Sequence, residues 1–276
     1  MKVTRMVGGS IAAGALLLAG LTGSASAVSG TNDAAGYAAA EADVSWEISD
    51  PARYLTDGDH TTTVGLSDAK RTVTIKSNLA EEGDTWQLFS AKGLLSAEGT
   101  FSAADAAANQ DTDAVEVEVP HDNSVAGDDL NVRVRINDSS GGGPGYEVDT
   151  DDVGDLTVVR RVLFKHAGTD HRVNFSPEPY DDAIQVRGKL IRANWETQTY
   201  KGYANRNVHI QVRPVAGAYS DIAEVTTGSD GSVSYDFNVS DTGFPAPGDT
   251  FVGQAQYFGN ATSSGNDSTG DQVAPA

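Results

Sequence analysis

Residues 114–137 read AVEVEVPHDNSVAGDDLNVRVRIN, and two short runs within that stretch decide the fold class. Val115, Val117 and Val119 alternate with Glu116 and Glu118, and Val132, Val134 and Ile136 alternate with Arg133 and Arg135. A period of two places every apolar side chain on one face and every charge on the other, which is the pattern of a half-buried strand. Between the runs lie Pro120, Gly127, Asp128 and Asp129, a turn-forming composition. The spacing predicts a hairpin with the glutamates across from the arginines, each cross-strand pair contributing up to about 1 kcal/mol. The two glutamates therefore have a structural reading that competes with any acid–base one.

The same period recurs on both sides. Upstream, Val44, Trp46 and Ile48 alternate with Ser45 and Glu47. Val73 and Ile75 then alternate with Thr72, Thr74 and Lys76, Trp86 and Leu88 share a face, and 94–101 is a further candidate strand. Ser102 followed by AADAAANQ is the single helical candidate, with Ser102 placed to cap it. Downstream come Val162–Phe164, Val173–Phe175, then Ile184, Val186 and Leu190. Val208, Ile210 and Val212, the pair Ile222 and Val225, the run from Val233 to Val239 and the run from Phe251 to Phe258 complete the series. Ser229-Asp230-Gly231-Ser232 is a turn signal between two of these. Short alternating runs at this spacing predict an all-β chain of two tandem antiparallel β-sandwich, immunoglobulin-like domains, 43–158 and 159–273, with a tail at 274–276.

One segment carries a more specific signal. VNFSPEPY at 173–180 and VRGKLIRANWETQTYKGYANRNVHIQVRP at 186–214 are followed by TTGSDGS at 226–232 and GDQV at 270–273. Residues 172–273 thus resemble a set of secreted actinobacterial, Streptomyces-type proteins of unknown function. Those proteins carry SPEP, GKLxRANWE, YxGYAN and VxxQxR in an Ig-like β-sandwich, and some are labelled calcium-binding. The run from Gly188 to Arg213 is the specific part. The stretch DTGFPAPGDTFVGQAQYFG departs from the family pattern, with two prolines and a longer link before the closing strand. The resemblance implies a secreted sandwich and no defined chemistry.

The N-terminus agrees with export. Lys2 and Arg5 precede an apolar run from Ile11 to Leu21, and Ala25-Ser26-Ala27 offers small residues for cleavage, so 1–27 reads as a signal peptide. The apolar run is too short for a stable span, so no membrane insertion is expected. Residues 28–42, VSGTNDAAGYAAAEA, lack an apolar face and read as a flexible leader. The chain has no cysteine, so packing and sheet hydrogen bonds hold the mature 249 residues without disulfides. Its formal charge of −20 becomes −22 once Lys2 and Arg5 are removed. A chain so acidic is repelled by phosphate backbones, which excludes nucleic acid as a natural partner. A secreted, extracellular location leaves a cell-wall glycan or an extracellular protein as partner classes.

No catalytic constellation appears. G-x-S-x-G is absent, and Ser67-Asp68-Ala69-Lys70 fits S-x-x-K but precedes a strand where that motif requires a helix. His60, His121, His166, His171 and His209 show no zinc-like spacing. No cofactor is called for, with calcium as the one ion considered. Asp149, Asp151, Asp152 and Asp155 put four carboxylates in seven residues beside Gly154, and hard oxygen ligands suit Ca²⁺. This is not an EF-hand, because Arg160 stands where a bidentate glutamate is needed. If the loop lay near the joint between the domains, a cation there would stiffen the joint. Trp195, Tyr200 and Tyr203 fall within nine residues and offer either a glycan-stacking platform or ordinary packing at a sheet edge. The leading expectation is a secreted, non-enzymatic module acting by interaction or as a structural element; calcium-binding adhesion and carbohydrate binding are the alternatives.

Overall fold

The computed structural model describes residues 44–49, 60–137, 139, 146–148, 155–178, 183–242 and 250–274. The signal peptide, the leader and three of the four candidate calcium ligands (Asp149, Asp151 and Asp152) lie outside the described residues.

The N-terminal unit comprises β1 (Val44–Ile48), β2 (His60–Val64), β3 (Ala69–Ser77), β4 (Thr85–Ser90), β5 (Ser96–Thr100), α1 (Ala103–Ala108), β6 (Gln110–Val117), β7 (Asp129–Leu130), β8 (Val132–Asn137), β9 (Tyr146–Val148) and β10 (Leu156–Arg160). One sheet has the order β1-β3-β6; facing it, β5-β4-β8-β9 form a second sheet, beside which β2-β10-β7 pair. The chain passes from β7 to β8 across Asn131 alone, and β10 pairs with β7 while β9 pairs with β8. β2 runs parallel to β10, and every other pairing named here is antiparallel. This is the immunoglobulin-like arrangement.

The opening hairpin expectation is corrected. β6 pairs with β3 in one sheet and β8 pairs with β4 and β9 in the other. Val115 and Val117 thus face Val132, Val134 and Ile136 across the core, all buried. Glu116 lies opposite Lys70 rather than an arginine. The connection includes Pro120, which has no N–H for a ladder, and a tight turn at Asn123–Val125 with buried Val125, so the chain crosses between sheets. Alternation identified the strands, and the partner was set by what the valines bury against.

With no cysteine pair to bridge the sheets, Trp86 fills the centre. It is fully buried, and its indole N–H donates to Asp111 Oδ2 at 2.6 Å. A Cβ on Gly99, opposite it in β5, would stand 2.5 Å from the indole, so only glycine fits there. α1 is capped as expected: Ser102 Oγ accepts from Asp105 N–H, and the Asp105 carboxylate accepts from Ser102 N–H.

The C-terminal unit comprises β11 (Val162–His166), β12 (Thr169–Asp170), β13 (Asn174–Pro177), β14 (Ala183–Asn194), β15 (Thr199–Gly202), β16 (Asn207–Pro214), β17 (Ser220–Thr226), β18 (Ser232–Asn238), β19 (Phe251–Tyr257), β20 (Asn266–Asp267) and β21 (Asp271–Val273). β14 is the axis of one sheet, flanked by β13 and β18 along its first half and by β11 and β15 along its second. The facing sheet runs β17-β16-β19, with β20 and β21 on β19. Phe164, Phe175, Phe237, Phe251 and Tyr257 fill the space between. Arg161 alone separates β10 from β11.

Candidate functional site

The place where the two units meet is built from the segment that carries the family resemblance. Along β14, Ile184, Val186 and Leu190 point into the C-terminal core. At Leu190-Ile191 two neighbours in sequence are both buried, and from there the other face of the strand turns inward. Ala193 and Trp195 then pack in the core of the N-terminal unit. One strand thus serves two cores, one with each face.

Trp195 is 0% exposed and its indole N–H donates to the carbonyl of Gly65, 3.0 Å away in the N-terminal unit. Its backbone N–H donates to Asn123 Oδ1 at 3.0 Å, and Asn123 N–H donates to Glu196 Oε1 at 3.4 Å. The turn that presents it is held from within: Thr197 N–H donates to Asn194 Oδ1 and Gln198 Nε2 donates to Trp195 O. Arg161, the connecting residue, donates its N–H to Val64 O and accepts from Ala193 N–H, both at 2.9 Å.

A second loop closes the other side. Arg160 N–H donates to Thr262 O, Ser264 N–H donates to Arg160 O, and Val162 N–H donates to Ser264 Oγ. Gly127 has φ +82°, and a Cβ there would lie 2.6 Å from the carbonyl oxygen of Ala261. This backbone-to-backbone approach requires glycine for both reasons.

The three aromatic residues of the glycan expectation do not share a surface. Trp195 has no exposed ring face. Tyr203 is 4% exposed and belongs to the C-terminal core, edge-on to Tyr257 at 5.8 Å between ring centroids. Tyr200 is half-buried against the N-terminal core, where burial pushes its phenol up despite the opposing charge and hydrogen bond of Arg161. The Tyr203 phenol is also penalised by burial. Donors from Ser263, Asn260 and Tyr257, with the charge of Arg192, outweigh that penalty and bring it below the ordinary tyrosine value.

Of the calcium candidates, Asp155 is described. Its carbonyl accepts from His60 N–H at 3.2 Å. Val148 lies opposite Val134 and Leu156 opposite Leu130. The joint lies at the far end of β10, where Arg160 meets Thr262, and the strand rises about 3.3 Å per residue from Asp155. Asp155 is thus set apart from the joint that a bound cation was to stiffen. Among the described residues no three His, Asp or Glu side chains gather as metal ligands would.

Two other groupings bear on chemistry. Lys70 of the S-x-x-K match projects from strand β3 opposite Glu116, not over Ser67 from a helix. His209 sets Nδ1 2.9 Å from Asp221 Oδ2 and Nε2 3.4 Å from Glu224 Oε2. Both ring nitrogens face carboxylates, which leaves neither to serve a hydroxyl nucleophile.

No protein-family model matches the sequence, and no curated protein matches it. Among solved structures, a tetra-tandem repeat in the extending region of a large adhesion protein aligns at 14% identity and TM-score 0.29, over 86% of this chain and 50% of that one. The ICAM-5 ectodomain fragment aligns at 11% identity and TM-score 0.34, over 84% of this chain and 53% of that one. The alpha-2-macroglobulin of E. coli aligns at 10% identity and TM-score 0.31, over 91% of this chain and 15% of that one. The chain thus spans about half the length of the first two structures and less of the third. Among the described residues no helix is long and apolar enough to cross a membrane.

The joint was not foreseen from sequence. Its signal was present in GKLIRANWE, where the apolar parity slips at Leu190-Ile191 and continues on odd positions to Trp195. A strand that changes its buried face within its length has two things to bury against.

Proposed function

We propose that the chain is a secreted, non-enzymatic pair of immunoglobulin-like sandwiches, 43–158 and 159–273, that acts by interaction outside the cell and is held as one rigid spacer. The observation that carries this reading is Trp195, buried in the N-terminal core at the turn that directly follows β14 of the C-terminal sheet. A large apolar side chain exchanged between units opposes the independent motion that is the default for linked domains. The signal-like residues 1–27 and the absence of cysteine fit a packed exported protein. The actinobacterial family is supported by the run from Gly188 to Arg213, which includes the docking turn.

The chain from Val28 tests this. NMR relaxation is expected to give both units one tumbling time, and small-angle scattering one stiff particle. Trp195→Ala is expected to separate the two tumbling times. Independent tumbling of the intact chain, or turnover of a substrate, sinks the proposal. Incubation with intact cells, peptidoglycan, chitin and cellulose then separates protein from glycan partners.

A calcium-binding reading rests on the sequence, where Asp149, Asp151, Asp152 and Asp155 put four carboxylates in seven residues. A site filled to about a hundred times its Kd adds about 2.7 kcal/mol, so millimolar Ca²⁺ is expected to raise the Tm. An unchanged melting curve ends it.

A further inference from the structure

The joint gathers positive charge as well as apolar surface. Arg192 and Arg206 stack on Tyr203, and Arg160 lies within electrostatic reach of Arg192 and Tyr203. The guanidinium carbon of Arg192 lies 4.0 Å from the ring centroid and that of Arg206 lies 4.6 Å from it. Arg160 is 8% exposed, with Nε donating to Ala193 O at 2.6 Å. Arg192 Nη1 donates to Ser263 Oγ at 3.1 Å. Arg206 Nε is buried and donates to no partner among the described residues. Burial, and then the neighbouring charge of Arg192, bring Arg160 down to about 10.

Several other cations of this acidic chain find carboxylates. Lys76 pairs with Glu47, Lys92 with Asp128, Lys165 with Asp170, Arg187 with Asp236 and Lys189 with Asp230. Among the described residues, none of the three arginines at the joint has a carboxylate within ion-pair distance. Glu196 acts on Arg160 from farther off and is itself taken up by Asn123 N–H. Crowded like charges with an unused buried donor are costly without a counter-charge. Stacking on tyrosine occupies the flat face of a guanidinium and leaves its N–H edges free for a planar or tetrahedral oxyanion.

We propose that Arg160, Arg192 and Arg206 form an oxyanion site at the joint, taking the carboxylate, sulfate or phosphate group of an extracellular ligand on the forks of Arg192 and Arg206. Both residues are partly exposed, and since Arg206 Nε is itself buried, the group is to reach their terminal Nη atoms from solvent. Arg160 lies behind them and adds charge. The site goes beyond the spacer reading and does not depend on it, since it needs only the local fold around Tyr203.

The test is melting of the chain from Val28 in sulfate, phosphate or glucuronate, each against chloride at equal ionic strength. A saturable rise in Tm with at least one anion is expected. The sulfate and phosphate arms separate an inorganic-ester type of ligand from the uronic-acid type. Arg206→Gln and Arg192→Lys are expected to weaken the apparent affinity about tenfold or more, as loss of a charged bidentate contact does. Lys76→Gln, a partly exposed cation on β3 paired with Glu47, is expected to leave it unchanged. No rise, or a non-saturating rise equal in all variants, overturns the site. If the arginine variants do not fold, the arginine Nε–H resonances of the intact chain are followed during phosphate titration. Shifts at Arg192 and Arg206 support the site, and their absence overturns it.

Discussion

Trp195 concentrates more of this molecule's organisation than any other side chain. Truncating a buried tryptophan costs about 3–5 kcal/mol. Trp195→Ala is therefore expected to lower stability in denaturant by that amount, with the first loss in the N-terminal unit. Trp195→Phe keeps most of the apolar volume and strips the Gly65 carbonyl of its partner, for a cost of about 1–3 kcal/mol. The two variants, measured side by side, separate packing from the hydrogen bond. Gly127→Ala tests the opposite loop. A side chain at φ +82° and against Ala261 O is expected to cost more than about 1 kcal/mol, read as a drop in Tm. At this scale the sequence was only partly legible. A lone tryptophan among tyrosines reads equally as a sugar platform or as core, because composition does not say which side of a strand is covered. Burial decided it.

At the scale of elements, β14 and β18 show how charge supports a ladder. Lys189 pairs with Asp230, in the turn that leads into β18, and Arg187 with Asp236 of β18, diagonally across the ladder. Hydrogen bonds from Lys189 and Ser232 hold the Asp230 carboxyl below the ordinary 3.8, and a hydrogen bond from Arg187 does the same for Asp236. A carboxyl depressed in the folded state contributes stability that is complete above its unfolded value and lost as pH falls. Stability is thus expected to decline from about pH 4 downward, and Asp230→Asn with Asp236→Asn to flatten that decline in acid-denaturation curves. Both carboxylates are exposed, so the effect is small and weakens with salt. Strand identity was legible because alternation reports directly on half-burial, as β1, β3, β6 and β8 show. Strand partners were not. β6 and β8 are neighbours in sequence with matching patterns, yet the same valines that predicted a hairpin made them opposite walls of one core. β2 went unnoticed because His60-Thr61-Thr62-Thr63-Val64 has no apolar alternation, and its pairing with β10 supplies what its side chains do not signal.

At the scale of the whole molecule, the two sandwiches are not self-sufficient to the same degree. The described core of the C-terminal unit contains only its own residues, whereas that of the N-terminal unit includes Ala193 and Trp195. A fragment ending at Arg161 is therefore expected to melt below the corresponding transition of the full chain, and scanning calorimetry of both checks this. Equal transitions would mean that the tryptophan fills a dispensable pocket. The asymmetry also bears on time. Chains are synthesised from the N-terminus, and domains generally fold in that order. Here the leading sandwich leaves the ribosome without the residue that completes its interior, and β14 brings that residue only later. Its closure waits for its successor, so the molecule matures backwards: the last step in finishing the first domain is taken by the second.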